Sequence, residues 1–169
     1  MTGAAQAGDE AFQRMMTQLD YPMFVVTTRV GEERAGCLVG FSSQVSINPA
    51  RFLVGLSKNN ETYRIATGGA THLAVHLLTD DYRELARLFG GETGDQVDKF
   101  AHCSWWDGPE GLPILSGAAA WFAGRVLSRS DFGDHVGHLT EPVAGYAPTE
   151  LGRLVTFAEV RDLKPGHRA

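Results

Sequence analysis

Apolar positions recur along this chain in two periods, and the switches between them mark out its elements. Between Asp9 and Asp20, Phe12, Met15, Met16 and Leu19 fall at i, i+3, i+4 and i+7, the spacing of one helical face. Asp9 suits an N-cap and Pro22 limits extension, so a helix is predicted over 9–20. "MFVVTTRV", the turn "GEER" and "AGCLVGFSSQVSI" then read as a hairpin of two strands, the second running into a loop at Asn48-Pro49. "RFLVGLS" predicts a strand, "NNETYRIATGG" a short helix opening at an Asn and closing at a Gly pair, and "THLAVHLL" another strand. Asp81 and Glu84 have capping-box spacing ahead of a helix that Gly90-Gly91 stops. Residues 92–113 are too rich in Gly and Pro for one element and predict a loop with a turn of helix near Val97–Phe100. Two long β patterns, "GAAAWFAGRVLSRSDF" and "DHVGHLTEPVAG", and a short one, "RLVTFAEV", complete six or seven mostly antiparallel strands with inserted helices. That order favours a mainly β barrel over an open sheet, and the 169 residues are expected to form a single domain.

Composition narrows the function classes. Hydrophobic residues at 43% and charged residues at 21% are ordinary for a folded domain, and twenty glycines favour tight turns over a helical bundle. A net charge of −5 without a basic stripe argues against nucleic acid as a partner. No apolar run reaches the length of a membrane span and the N-terminus lacks a signal-peptide pattern, so a cytoplasmic protein is expected. Cys37 and Cys103 match no metal or redox spacing and read as small buried hydrophobes.

Three stretches carry candidate chemistry. In "GCLVGFSS" the glycines at 36 and 40 allow close approach of a flat ligand, with Leu38, Val39 and Phe41 as apolar contacts; an inner strand with a bulge would read the same way. "SKNNET" is a strand-to-helix junction with Lys58 just ahead of the helix, which suits either a phosphate or a plain capped helix. "DFGDHVGHL" sets His135 and His138 three apart. In a regular strand they face opposite sides, so they do not converge on one metal ion without a bulge.

The order of these motifs resembles the flavin reductase-like family, the FMN-binding split-barrel proteins that include NAD(P)H:flavin oxidoreductase partners of two-component monooxygenases. The resemblance runs from about Pro22 to Val160 through "VVTT", "GCLVGFSSQVSINP", "SKNNETYRIA", "HLAVHLL", "LARLFGG", "DKF", "GLPILSGAAAWFAGRV" and "GDH". It implies a homodimeric split β-barrel of the FMN-binding type, with FMN or FAD at the subunit interface. NADH or NADPH would deliver hydride, and reduced flavin would pass to a partner monooxygenase. It further implies flavin contacts from Leu38, Val39, Gly40, Phe41 and Ser42, and from Ser57, Lys58, Asn59 and Thr62 at the phosphate. His76, Lys99, Phe100, Gly133 and Asp134 join as further contacts, with His135 as the active-site histidine and no metal. Trp105 and Trp106 are candidates to cover a ring or to close a core edge. Leu38 and Phe41 stand where the family usually has hydroxyl residues, which points to flavin held by backbone groups or more loosely, or to a related ring such as a deazaflavin; a carrier without turnover and a split barrel for haem or a deazaflavin are the alternative functions.

Overall fold

A computed structural model of the chain describes residues 3–91 and 97–163. Its elements run α1 Gly3–Met16, β1 Phe24–Val30, β2 Glu33–Val39, β3 Ser42–Ser46, β4 Arg51–Ser57, α2 Glu61–Thr67, β5 His72–Leu77, α3 Arg83–Gly91, β6 Trp105–Asp107, β7 Pro113–Leu115, β8 Ala120–Asp131, β9 His135–Tyr146 and α4 Phe157–Val160. Seven strands form one antiparallel sheet in the order β2-β1-β5-β8-β9-β4-β3. Its two edges meet because β2 runs directly into β3. Between them Gly40 and Phe41 kink the chain, and the Gly55 N–H of β4 donates to the Phe41 carbonyl at 2.7 Å.

Strand alternation sorts side chains to the two faces. Val26, Val39, Val54, Leu56, Leu73 and Val75 fill the barrel interior. Val25, Leu78, Ala86, Phe89, Phe100, Leu115 and Val155 form a second core outside it, beneath α3. Gly36 on β2 admits that second core: a Cβ there would stand 2.7 Å from the Phe89 ring. Burying such side chains contributes about 1.5–3 kcal/mol each for the larger ones.

The structure corrects several expectations. The first helix runs Gly3–Met16 rather than 9–20, so Asp9 lies within it instead of capping it, and just past its end the side chains of Thr17 and Gln18 bond back to the Arg14 carbonyl. Its predicted apolar face is exposed, with Phe12 at 54% and Met15 at 61%, so its pattern is not explained by packing within one chain. The long second strand is broken at Gly40-Phe41 into β2 and β3. "RLVTFAEV" is not a strand: it contributes single bridges from Leu154 and Thr156 and then turns into α4. The helical turn near 97–100 lies at Lys99–His102, and the loop after it contains the unpredicted β6–β7 hairpin. Among the described residues no helix is long and apolar enough to cross a membrane.

Candidate active site

The kink between β2 and β3 forms one wall of a cleft of about 180 Å³. Leu38, Val39, Gly40 and Phe41 line it from the kinked strand, Ser57 from the end of β4, Asn60 from the N-cap of α2 and His135 from the start of β9. Register explains the convergence. Ser57 pairs with His135, and the Lys58 N–H donates to the Asp134 carbonyl at 2.9 Å, so β4 and β9 deliver these side chains to the same end of the sheet. Phe41 and His135 meet there, their ring centroids 4.8 Å apart and tilted by 51°. The Asp134 carboxylate lies 2.7 Å from His135 Nδ1, and that hydrogen bond holds Asp134 below the usual carboxylate range. Gly133, at φ 134°, supplies the backbone turn into the strand that a side chain would strain.

Seven lining residues were not among the expected site residues: Tyr21, Met23, Cys37, Gly55, Leu56, Asn60 and Phe157. Tyr21 stacks on Phe157 with centroids 5.0 Å apart, tying the segment before β1 to α4. A Cβ on Gly40 would stand 2.9 Å from the Tyr21 ring, so this glycine makes room for the protein's own tyrosine, which was not its expected purpose. Cys37 also lines the cleft, but burial pushes its thiol up, leaving it protonated and poorly nucleophilic.

Other expected contacts lie elsewhere. His76 is fully buried: the Leu115 N–H donates to its Nε2 at 3.1 Å, and Nδ1 lies 2.9 Å from the Val25 carbonyl. The network therefore places its proton on Nδ1, and His76 is a core clamp between β1, β5 and β7 rather than a cofactor contact. Burial pushes its pKa down to about 4. Lys58 pairs with Asp131 at 2.6 Å, Thr62 is fully buried, and none of Lys58, Asn59 and Thr62 is in the cleft lining. Phe100 belongs to the outer core. Lys99, also buried, donates to the carbonyls of Gly36 and Phe89 and borders a second cavity. Trp105 packs on Phe100 and donates to its carbonyl, while Trp106 meets Trp121, so neither tryptophan covers the cleft. His138 points into the barrel from the opposite face of β9 to His135, with Nδ1 on the Val136 carbonyl.

Leu38, Val39, Leu56, Met23 and Phe41 offer apolar contact in the cleft, and Ser57, Asn60 and His135 offer hydrogen bonds. Ser42, an expected contact, pairs with the inward-facing Val54 and is absent from the cleft lining, so it does not replace the hydroxyls missing at Leu38 and Phe41.

The fold is a split β-barrel with this cleft at its seam. Residues 16–162 match the family described as the flavin reductase like domain, and the chain belongs to that family. It is 30% identical over 148 residues to the FMN reductase (NADH) RutF of Stutzerimonas stutzeri, covering 88% of this chain and 84% of the relative. It is 28% identical over 127 residues, 75% of this chain and 74% of the relative, to the reductase component of 4-hydroxyphenylacetate 3-monooxygenase of Pseudomonas aeruginosa. The flavin reductase domain protein of Arthrobacter sp. FB24 superposes with a TM-score of 0.79 at 23% identity over 89% of this chain and 91% of that one, and it shows the same fold.

Proposed function

We propose that this chain binds FMN or FAD with the ring in the Gly40–Phe41 cleft, reduces it with NADH or NADPH, and releases the reduced flavin to a separate monooxygenase in the cytoplasm. The observation that carries this reading is the convergence of residues 38–41, Ser57 and His135 on one apolar cleft in a chain of this family. When bound, the flavin supplies the redox chemistry by accepting hydride at its ring. The chain's own residues bind and orient. Leu38, Val39 and Leu56 exclude water from the ring, Ser57 and Asn60 offer polar contacts, and His135, steadied by Asp134, stands beside Phe41. Its imidazole is placed to hydrogen-bond an incoming nicotinamide or to stabilise negative charge on the reduced ring.

Steady-state oxidation of NADH and NADPH, followed with and without added free flavin, tests the reading. Turnover that rises with free FMN or FAD supports it. A tightly retained flavin with no turnover of the free form would replace the reductase with a carrier.

We infer as well that two copies associate. The exposed apolar face of α1 and an apolar trough of about 400 Å³ lined by Phe24, Leu77, Trp121, Phe122 and Tyr146 are the kinds of surface an assembly covers. Sedimentation at micromolar concentration is expected to show a dimer, and a stable monomer refutes it.

A further inference from the structure

The cleft is small for the ring assigned to it. At about 180 Å³ it falls below the roughly 300–1,000 Å³ of small-molecule pockets, so a three-ring ligand needs more room than the structure gives. Part of its lining has to move. Met23, Val39 and Leu56 are buried in the two cores, Leu38 packs against one of them, and Tyr21 and Phe157 are stacked on each other. Among the lining residues Phe41 alone combines a large side chain with exposure, at 62%.

The backbone of Phe41 is not free to shift. Its carbonyl accepts from the Gly55 N–H at 2.7 Å, and the Ser42 N–H donates across it to the Gly40 carbonyl at 3.2 Å. β4 lies so close that a Cβ on Gly55 would stand 2.9 Å from the Phe41 carbonyl oxygen and 3.2 Å from the Phe41 Cβ. What remains is rotation about the side-chain bonds between staggered rotamers, which carries the phenyl ring away without disturbing the sheet. The ring's neighbour in the structure is the His135 imidazole, with centroids 4.8 Å apart, and the His135 side chain is only 18% exposed. One weak aromatic contact therefore sets both the width of the cleft and the access to its histidine.

We propose that Phe41 is a gate on the ring cleft: seated on His135 it narrows the cleft, and turned out toward solvent it admits the ring and bares the imidazole in one movement. The proposal rests on the flavin reading of the cleft and adds the residue that governs entry to it. Exposed side chains turn in picoseconds to nanoseconds, far faster than a dilute ligand arrives, so the gate acts through population and not through delay. The apparent affinity is the intrinsic affinity scaled by the open fraction. The sign of the effect separates a gate from a wall. A wall residue touches the bound ring, and its removal weakens binding. A gate residue competes with the ring, and its removal tightens binding.

Fluorescence titration with riboflavin, which carries the ring without a phosphate, reads that sign. Phe41 is exposed, so Phe41→Ala leaves the cores intact. This variant is expected to bind riboflavin about three- to tenfold more tightly than the wild type, the range that loss of one aromatic pair supports. Phe41→Tyr, which keeps a ring on the imidazole, is expected to match the wild type. The gain is expected to vanish when Phe41→Ala is made in a His135→Ala background, where the seat of the gate is gone. Equal or weaker binding by Phe41→Ala, a gain in Phe41→Tyr, or the same gain with and without His135 overturns the gate. A second measurement needs no flavin. Diethylpyrocarbonate labels accessible imidazoles, and mass spectrometry of the peptides follows each histidine separately. Phe41→Ala is expected to raise the labelling rate of His135 about threefold or more and to leave that of the exposed His102 unchanged. An unchanged rate at His135 overturns the proposal. A wild-type protein that binds no riboflavin, FMN or FAD refutes the flavin reading itself, and the labelling rate then decides alone whether Phe41 guards His135.

Discussion

His76→Asn is expected to flatten the acid limb of the protein's stability curve. In the folded chain His76 is neutral, with Nε2 accepting from Leu115 and Nδ1 spent on Val25, and burial lowers its pKa from 6.5 to about 4. The unfolded chain takes up a proton near pH 6.5 and the folded chain resists until about pH 4, so stability falls as pH drops through that window. Above pH 6.5 the group contributes no slope. Between pH 7 and pH 5 the loss is about 2 kcal/mol, at 1.36 kcal/mol for each tenfold change in proton concentration. Urea unfolding at the two pH values measures it. The wild type is expected to lose that amount, and His76→Asn to lose only what His138, also buried and also shifted down, contributes. His76→Ala strands the Leu115 N–H and leaves a void, which costs about 3 kcal/mol at pH 7. A wild type equally stable at both pH values overturns the assignment.

The largest effect on turnover is expected from His135→Ala. His135 lines the ring cleft, is steadied by Asp134 at 2.7 Å and rests against Phe41. Its removal is expected to lower kcat/KM with NADH by about tenfold or more, which is roughly 1.4 kcal/mol of transition-state stabilisation. Asp134→Asn keeps the imidazole but weakens its support, so an intermediate loss is expected. His138→Ala provides the contrast, since His138 faces the barrel interior: it is expected to lower the melting temperature while the folded fraction keeps its kcat/KM. Equal losses of turnover in His135→Ala and His138→Ala would remove His135 from the active-site role.

The two histidines show what sequence reading reaches here and where it stops. Period-2 alternation put His135 and His138 on opposite faces of β9, and the structure has them so. Alternation alone says nothing of which face meets a cleft and which meets a core. The same limit caused the error at His76, whose strand pattern resembles that of His135 but whose nitrogens are taken by backbone from β1 and β7, distant in sequence. Tyr21 and Phe157 reach the cleft through contacts that no local pattern encodes, 136 positions apart and stacked. The β6–β7 hairpin was hidden because its strands are three residues each and the turn between them is built from Gly and Pro. The long elements were legible where burial enforces a clean period: β1, β4 and β5 fall where their apolar runs predicted. The break at Gly40-Phe41 was not, because a glycine inside an apolar strand reads equally as a bulge, a bend or a ligand contact.

The Gly55 N–H and the Phe41 carbonyl, 2.7 Å apart, carry the β3–β4 pairing one rung further, into the kink that lines the cleft. The joint through which β2 passes into β3 is therefore also a wall of the cleft. A ligand pressed against residues 38–41 acts as a rivet across that joint, and losing it loosens the cylinder at its own suture. Occupancy of the cleft and integrity of the barrel thus become two readings of one gauge, with the Gly55 amide proton as its needle.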